Sequence, residues 1–252
     1  MNDRSVIFNY HDIIALKEGR KSQFRSVIKW KPREEGLNAM ASSLSLGYYN
    51  GSNPNGGWVL RSRGAGGCWN DRTFPMKPVY GMPGRILWVK ETVASFLERT
   101  AGEQEALDKA MKKLQAGSVD IVQLSKEIPI PSGPKRYIYK ADYGSYADDP
   151  DADLGPWTPS PCMPREASRF TLEITNVRVE KLQEITSDDA IAEGVQRIPH
   201  VGVMRAFGWK DYCGGDGFFD ARDSYRSLWS SLHGADSWSA NPYVTVTEFK
   251  LL

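Results

Sequence analysis

Residues 163–195 read MPREASRFTLEITNVRVEKLQEITSDDAIAEGV. Phe170, Leu172 and Ile174 alternate with Arg169, Thr171 and Glu173, the two-residue period of a strand with one buried face. Past Asn176 the apolar positions move to Val177 and Val179. The alternation has slipped by one residue, which predicts a β-bulge near Thr175-Asn176 and a bent strand. A small closed or half-closed barrel needs such a bend. A short helix is expected next. Thr186 or Ser187 can cap it, Asp188 and Asp189 suit its positive end, and Gly194 can end it in a left-handed conformation. Glu193 then falls in the last turn, where the helix dipole disfavours a carboxylate. Either it is solvated, as most charged side chains are, or another part of the chain meets it.

Toward the C-terminus, a Gly-rich connection leads to a helix over 220–232 with Tyr225, Leu228, Trp229 and Leu232 on one face. Residues 243–249 alternate as a closing strand. Toward the N-terminus, Val6-Ile7-Phe8 reads as a strand, 11–18 as a two-turn helix stopped by Gly19, and 22–30 as an extended run closed by Pro32. Ile86 to Val89 is a buried strand after the turn Gly81-Met82-Pro83-Gly84. A helix over 103–116 and a strand at 137–139 follow. Residues 36–78 are rich in glycine and carry Asn53-Pro54 and Asn55-Gly56; they are expected to be irregular loop, with short strands near 58–60. Strands scattered among helices suit a small decorated mixed barrel better than a doubly wound sheet.

The chain has 252 residues, 40% hydrophobic and 25% charged, with a net charge of +1, ordinary values for a globular protein. No apolar run approaches the roughly 20 residues that span a bilayer. The start MNDRSVIFNYHD lacks the pattern of a signal peptide, so a cytoplasmic location is expected. Cys68, Cys162 and Cys213 lie far apart, as do His11, His200 and His233. No zinc motif can be written from them, and neither a metal nor a cofactor is expected. Charge is polarised along the chain. Lys17, Arg20, Lys21, Arg25, Lys29, Lys31 and Arg33 crowd the segment 10–33, whereas 142–153 is acidic. Cations interleaved with Phe24 and Trp30 fit a surface that holds phosphate and stacks bases; they equally fit a solvated strand face beside a core aromatic. Trp88 and Trp229, in apolar patterns, are read as core.

Three stretches carry a family resemblance. Gly19-Arg20-Lys21-Ser22-Gln23-Phe24-Arg25, Gly84-Arg85-Ile86-Leu87-Trp88-Val89-Lys90-Glu91 and Val246-Thr247-Glu248-Phe249-Lys250 resemble ASCH domains of the PUA-like superfamily. Trp157, Met163-Pro164-Arg165 and Ser168-Arg169, with Trp229, Trp238 and Asn241-Pro242, resemble ASCH-type proteins of tailed phages and prophages; a phage-encoded protein would work in the host cytoplasm. The resemblance covers residues 5–30, 80–92 and 157–252. It implies an α+β fold, a PUA-like mixed β-barrel with short flanking helices. One domain would span 1–252, with two long insertions at about 36–78 and 95–160.

The resemblance also implies a cleft for RNA or a modified base, nucleoside or nucleotide. Arg20, Phe24, Arg25, Glu91, Arg165 and Arg169 would be its binding residues. The alternative is an amidohydrolase acting on an acylated pyrimidine nucleoside such as 4-acetylcytidine, or an endoribonuclease. Lys21 matches the family's catalytic lysine and Glu193 is the best match to its glutamate. The family's catalytic threonine falls on Phe24, which can neither attack a carbonyl nor pass a proton. Ser22 and Ser26 would share the strand face of Phe24, each about 6.6 Å along the chain from it, and are the candidate substitutes. Amide hydrolysis would need Lys21 neutral, although a free lysine titrates near pH ~10.4.

Overall fold

The computed structural model describes residues 4–28, 44–49, 57–63, 69–75, 78–116, 129–149, 154–201 and 206–252. Lys29, Trp30, Lys31 and Arg33 lie outside them. The elements begin with β1 (Arg4–Ile7), α1 (Tyr10–Lys17), β2 (Gln23–Val27), β3 (Leu44–Tyr49), β4 (Gly57–Arg63), β5 (Trp69–Pro75) and β6 (Ile86–Lys90). Next come β7 (Val93–Leu97), α2 (Ala101–Gln115), β8 (Lys135–Tyr139) and α3 (Lys140–Tyr143). The chain continues through β9 (Thr171–Lys181), α4 (Ser187–Ala192), β10 (Arg197–Val201), β11 (Ala206–Trp209), α5 (Ala221–His233), α6 (Asp236–Ser239) and β12 (Tyr243–Leu251). They fall into two compact units, Met1–Lys90 with Ser168–Leu252, and Glu91–Ala167.

The first unit is built on a five-stranded mixed sheet in the order β1-β6-β9-β12-β2. β1 runs parallel to β6 and the remaining pairs are antiparallel. The strands expected from residues 86–90, 169–180 and 243–250 thus share one sheet. The bulge is where the alternation slips. Glu248 of β12 faces Asn176 and Phe249 faces Ile174, so Thr175 is the extra residue. Leu172 and Ile174 are buried before it, Val177 and Val179 after it, and Thr175 and Asn176 are exposed.

The expected barrel does not close. Among the described residues the ladder ends on β1 and β2. The Phe8 ring, just past β1, lies 5.7 Å from that of Phe24 in β2, which lies 5.9 Å from Phe249. The fold is α+β with an open, bent sheet.

Two loop expectations are corrected. Residues 44–75 contain the antiparallel sheet β3-β4-β5. The turn-forming pairs Asn53-Pro54 and Asn55-Gly56 fall between β3 and β4, where hairpins concentrate such residues. The Gly-rich connection after Val195 likewise contains the β10–β11 hairpin.

Helices α4 and α5 pack on the sheet through one apolar cluster that includes Leu182, Ile185, Val195, Tyr225, Leu228, Trp229, Val244 and Val246. Their starts are fixed locally: Thr186 caps α4 in a reciprocal box with Asp189, and the Asp220 side chain accepts from the Arg222 N–H at the start of α5. The second unit pairs β7 with β8 over a small core of Val93, Met163 and Ala167, against which Tyr137 and Tyr139 pack. Among the described residues no helix is long and apolar enough to cross a membrane.

Candidate functional site

Helix α1 begins at the N-cap Asn9, whose side chain accepts from the Asp12 N–H while the Asp12 carboxylate accepts from the Asn9 N–H. This box fixes the Asp12 side chain at the start of the helix. After α1 the chain turns at Gly19 (φ +69°) and docks residues 20–22 against the end of α4. Ser22 N–H donates to the Ala192 carbonyl at 2.8 Å. The Arg20 guanidinium donates to the Gly194 carbonyl and Lys21 Nζ to the Glu193 carbonyl at 2.9 Å. Helix C-termini leave carbonyls without intrahelical partners, and cations meet them favourably. Arg20-Lys21 therefore acts as a cap on α4, and the cations offset a carboxylate at the helix end.

Gly194 makes this approach feasible. It sits at φ +93°, and a Cβ there would come within 2.5 Å of the Ala15 Cβ and 3.2 Å of the Lys21 Cβ. Only a residue without a side chain permits both the backbone conformation and the contact.

The candidate residues Lys21 and Glu193 converge. Lys21 Nζ lies 3.2 Å from Glu193 Oε2 and 3.1 Å from Asp12 Oδ1, with 3% of its side chain exposed. The second Glu193 oxygen accepts from Arg25 Nη1 at 2.7 Å. Arg25 also reaches Glu180 Oε1 at 2.6 Å, and Asp189 Oδ2 lies 3.6 Å away. Arg178 ties Glu180, Asp189 and Glu248 into the same network. Burial disfavours the Lys21 ammonium, but the Asp12 and Glu193 carboxylates outweigh it and hold its pKa above the ordinary lysine value. Arg25 is raised likewise: burial opposes its charge and Glu193 and Glu180 more than compensate. Lys21 is thus a charged ammonium here, not the neutral amine that general-base chemistry requires.

Asp12, Lys21, Arg25 and Glu193 line a cleft of about 310 Å³. Its walls combine the aromatic Phe8, Phe24, Tyr80, Tyr225 and Trp229 with the aliphatic Val6, Ile7, Leu228 and Leu232. Phe24 meets the Tyr80 ring edge-on at 4.9 Å, Lys21 Nζ sits 5.6 Å from the Phe8 ring, and Arg25 lies over Tyr225. Trp229 is core, as expected, and also faces the cleft; Trp88 is half-buried with Lys90 Nζ 5.0 Å from its ring.

Several expected placements are corrected. β2 and the residues just before it do not offer a solvated basic face: Lys21, Gln23 and Arg25 turn inward and are buried. The Arg20 guanidinium is likewise engaged, by Glu18 and the Gly194 carbonyl. Phosphate would have to displace carboxylates that already hold these cations. Ser22 and Ser26 do not join the cleft. Ser22 is exposed, and Ser26 pairs with Thr245 across the sheet. Arg169 is half-buried with its guanidinium 5.1 Å from the Phe170 ring and does not line the cleft. Glu91 and Arg165 belong to the second unit, where Glu91 is buried with its N–H donating to Met163 Sδ, and Arg165 is exposed.

Sequence reasoning missed Asp12, Tyr80, Arg178, Glu180 and Asp189. Asp12 had a local signal, the Asn9-x-x-Asp12 spacing of a capping box. Arg178 and Glu180 had a weaker one, since they stand two apart on the same face of the bent strand. Among the described residues no cluster of three or more His, Cys, Asp or Glu could hold a metal ion. Comparison with protein-family models, with curated proteins and with solved structures yields no match to this chain.

Proposed function

We propose that this is a PUA-like protein of the ASCH type whose cleft receives a single base or nucleoside, free or as one residue of an RNA. The observation that carries this reading is the buried Lys21–Glu193 pair lining an aromatic cleft of about 310 Å³. That volume lies at the small end of ligand pockets, which begin near ~300 Å³, and suits one nucleoside rather than a strand. Aromatic walls supply stacking, and fixed charges supply orientation. Charge balance favours a neutral ligand. Lys21, Arg25 and Arg178 stand among Asp12, Glu180, Asp189, Glu193 and Glu248, which leaves no excess of cations for a phosphate.

The test is a calorimetric titration of uridine, cytidine and 4-acetylcytidine into the wild type and Tyr80→Ala. Tyr80 is only half-buried, so its truncation removes a wall without stranding a buried charge. Saturable binding by the wild type, weakened about ten-fold or more in Tyr80→Ala, supports the reading. Wild type without binding to any of the three refutes it.

A second reading rests on the cation and carboxylate held side by side. In an amidohydrolase, Glu193 would take a proton as water attacks the acyl carbon of an acylated pyrimidine. Lys21 would stabilise the oxyanion and give a proton to the departing amine as the C–N bond breaks. A carboxylic acid and the free exocyclic amine would result. Binding without turnover remains the better-supported reading. Each Glu193 oxygen already accepts from a cation, and Phe24 supplies no nucleophile. Chromatography of the 4-acetylcytidine titration mixture separates the two: release of cytidine establishes hydrolysis.

A further inference from the structure

The inner groups of the cleft are already engaged. Lys21 and Arg25 are held by Asp12, Glu193 and Glu180, and Trp229 is 3% exposed. Among the polar residues that line the cleft, the one exposed to solvent is His233, in the last turn of α5. Its imidazole lies against Trp229, with ring centroids 4.1 Å apart and planes inclined by 40°. The buried indole backs the ring, and the ring faces whatever enters from solvent.

Histidine is the side chain whose ordinary pKa, about 6.5, lies near neutrality. Partial burial holds His233 below that value, and the Asp12 carboxylate of α1 works the other way. The other charged or titratable groups lining the cleft are Lys21 and Arg25, both held cationic, Glu193, Tyr80 and Tyr225, whose burial pushes its hydroxyl well up. His233 is therefore the member of the cleft wall that changes charge near neutral pH. Asp12 and the negative end of α5 favour its cation. Anything that strips water from the ring favours its neutral form.

On the nucleoside reading, we propose that His233 is a specificity-determining residue whose imidazole forms the outer wall of the cleft, in contact with the bound nucleoside, so that an uncharged ligand binds against an uncharged ring. A nucleoside seated there displaces the remaining water and brings no charge in exchange, a loss that falls mainly on the cation. Ligand and proton then compete. Occupancy lowers the affinity of the imidazole for a proton, and protonation lowers the affinity of the cleft for the nucleoside by the same factor. The cleft releases its ligand in acid.

The probes are uridine, cytidine and 4-acetylcytidine, essentially uncharged from about pH 8 to about pH 5.5, a range in which histidine titrates. Each is titrated calorimetrically into the wild type and His233→Asn across that range. The wild type should bind about three-fold or more weakly at the acid end, and His233→Asn, which cannot titrate, should show a flat profile. Because His233 is exposed, this variant spares the buried core. Proton NMR of the wild type reads the linkage directly: the tightest of the three nucleosides, at saturation, should move the His233 titration to lower pH. His11, packed on Tyr10 and Tyr212 and not lining the cleft, is the reference and should titrate as before. A merely structural His233 would titrate alike with and without ligand. Affinity that is constant or rises in acid, an acid loss undiminished in His233→Asn, or a His233 titration that ligand leaves unmoved or shifts no more than that of His11, overturns the assignment while the nucleoside reading stands. If none of the three binds, that reading fails and the assignment of His233 falls with it.

Discussion

Replacing Glu193 by Gln alters one atom and removes the charge shared by two buried cations. The side chain is 3% exposed, and its oxygens lie 2.7 Å from Arg25 Nη1 and 3.2 Å from Lys21 Nζ. Removing one partner of a buried ion pair typically costs ~3–5 kcal/mol, because the other charge remains buried and uncompensated. Here neither cation is left alone. Lys21 keeps Asp12, and Arg25 keeps Glu180 and Asp189, so the lower end, about 3 kcal/mol, is expected. That lowers the folded-to-unfolded ratio on the order of 100-fold. Urea unfolding followed by tryptophan fluorescence at neutral pH reads it as a drop in midpoint at unchanged slope. Lys250→Ala is the control, since Lys250 in the Lys250–Glu173 pair of the same unit is exposed and the pair should contribute about 0–1 kcal/mol. If Glu193→Gln costs no more than Lys250→Ala, the network is solvated like a surface pair, and the account of a desolvated charged cleft is wrong.

Gly194→Ala should destabilise by more than about 1 kcal/mol, because alanine is strained at φ +93° and its methyl group meets Ala15 and Lys21; chemical denaturation matching wild type would show that the α1–β2 turn does not dock as described. The pH profile of stability should fall at both ends. The Lys21 pKa is raised on folding, so its contribution is complete below the ordinary lysine value near ~10.4 and disappears as pH rises through the folded value. At the acid end, burial opposes the Asp189 carboxylate, but Arg178 and the Thr186 hydroxyl hold its pKa below the ordinary value. Its contribution is complete above about pH 3.9 and lost as pH falls through the folded value. Asp189→Asn should flatten the acid limb of a thermal-melting series; an unchanged limb would remove Asp189 from the network.

What could be read in the sequence was local. The slip between Ile174 and Val177 announced the bulge because burial on a strand has a fixed period. Thr186, Asp189 and Gly194 announced α4 because caps act within one turn. The inward face of β2 was hidden for the opposite reason. Lys21, Gln23 and Arg25 look like a solvated stripe until Glu193, Glu180 and Asp189, more than 150 residues away in sequence, are folded against them. Charge makes a residue look exposed, and only long-range partners reverse that reading. β4 was anticipated as the short strand near 58–60, but β3 and β5 escaped detection because glycines and turn pairs dominate the segment and those strands alternate weakly. The pairing of Lys21 with Glu193 was suggested by the family resemblance; the contact of Asp12 with Lys21 emerged only from the fold.

The central claim is that a base enters beside the buried Lys21–Glu193 pair, and a crystal structure of the protein with 4-acetylcytidine or its deacetylated product tests it most directly. The account predicts density for a pyrimidine against Phe24 and Tyr80, with a polar atom within hydrogen-bonding distance of Lys21 or Glu193. Nucleoside density confined to other surfaces, with this cleft holding only solvent at saturating ligand, would contradict it.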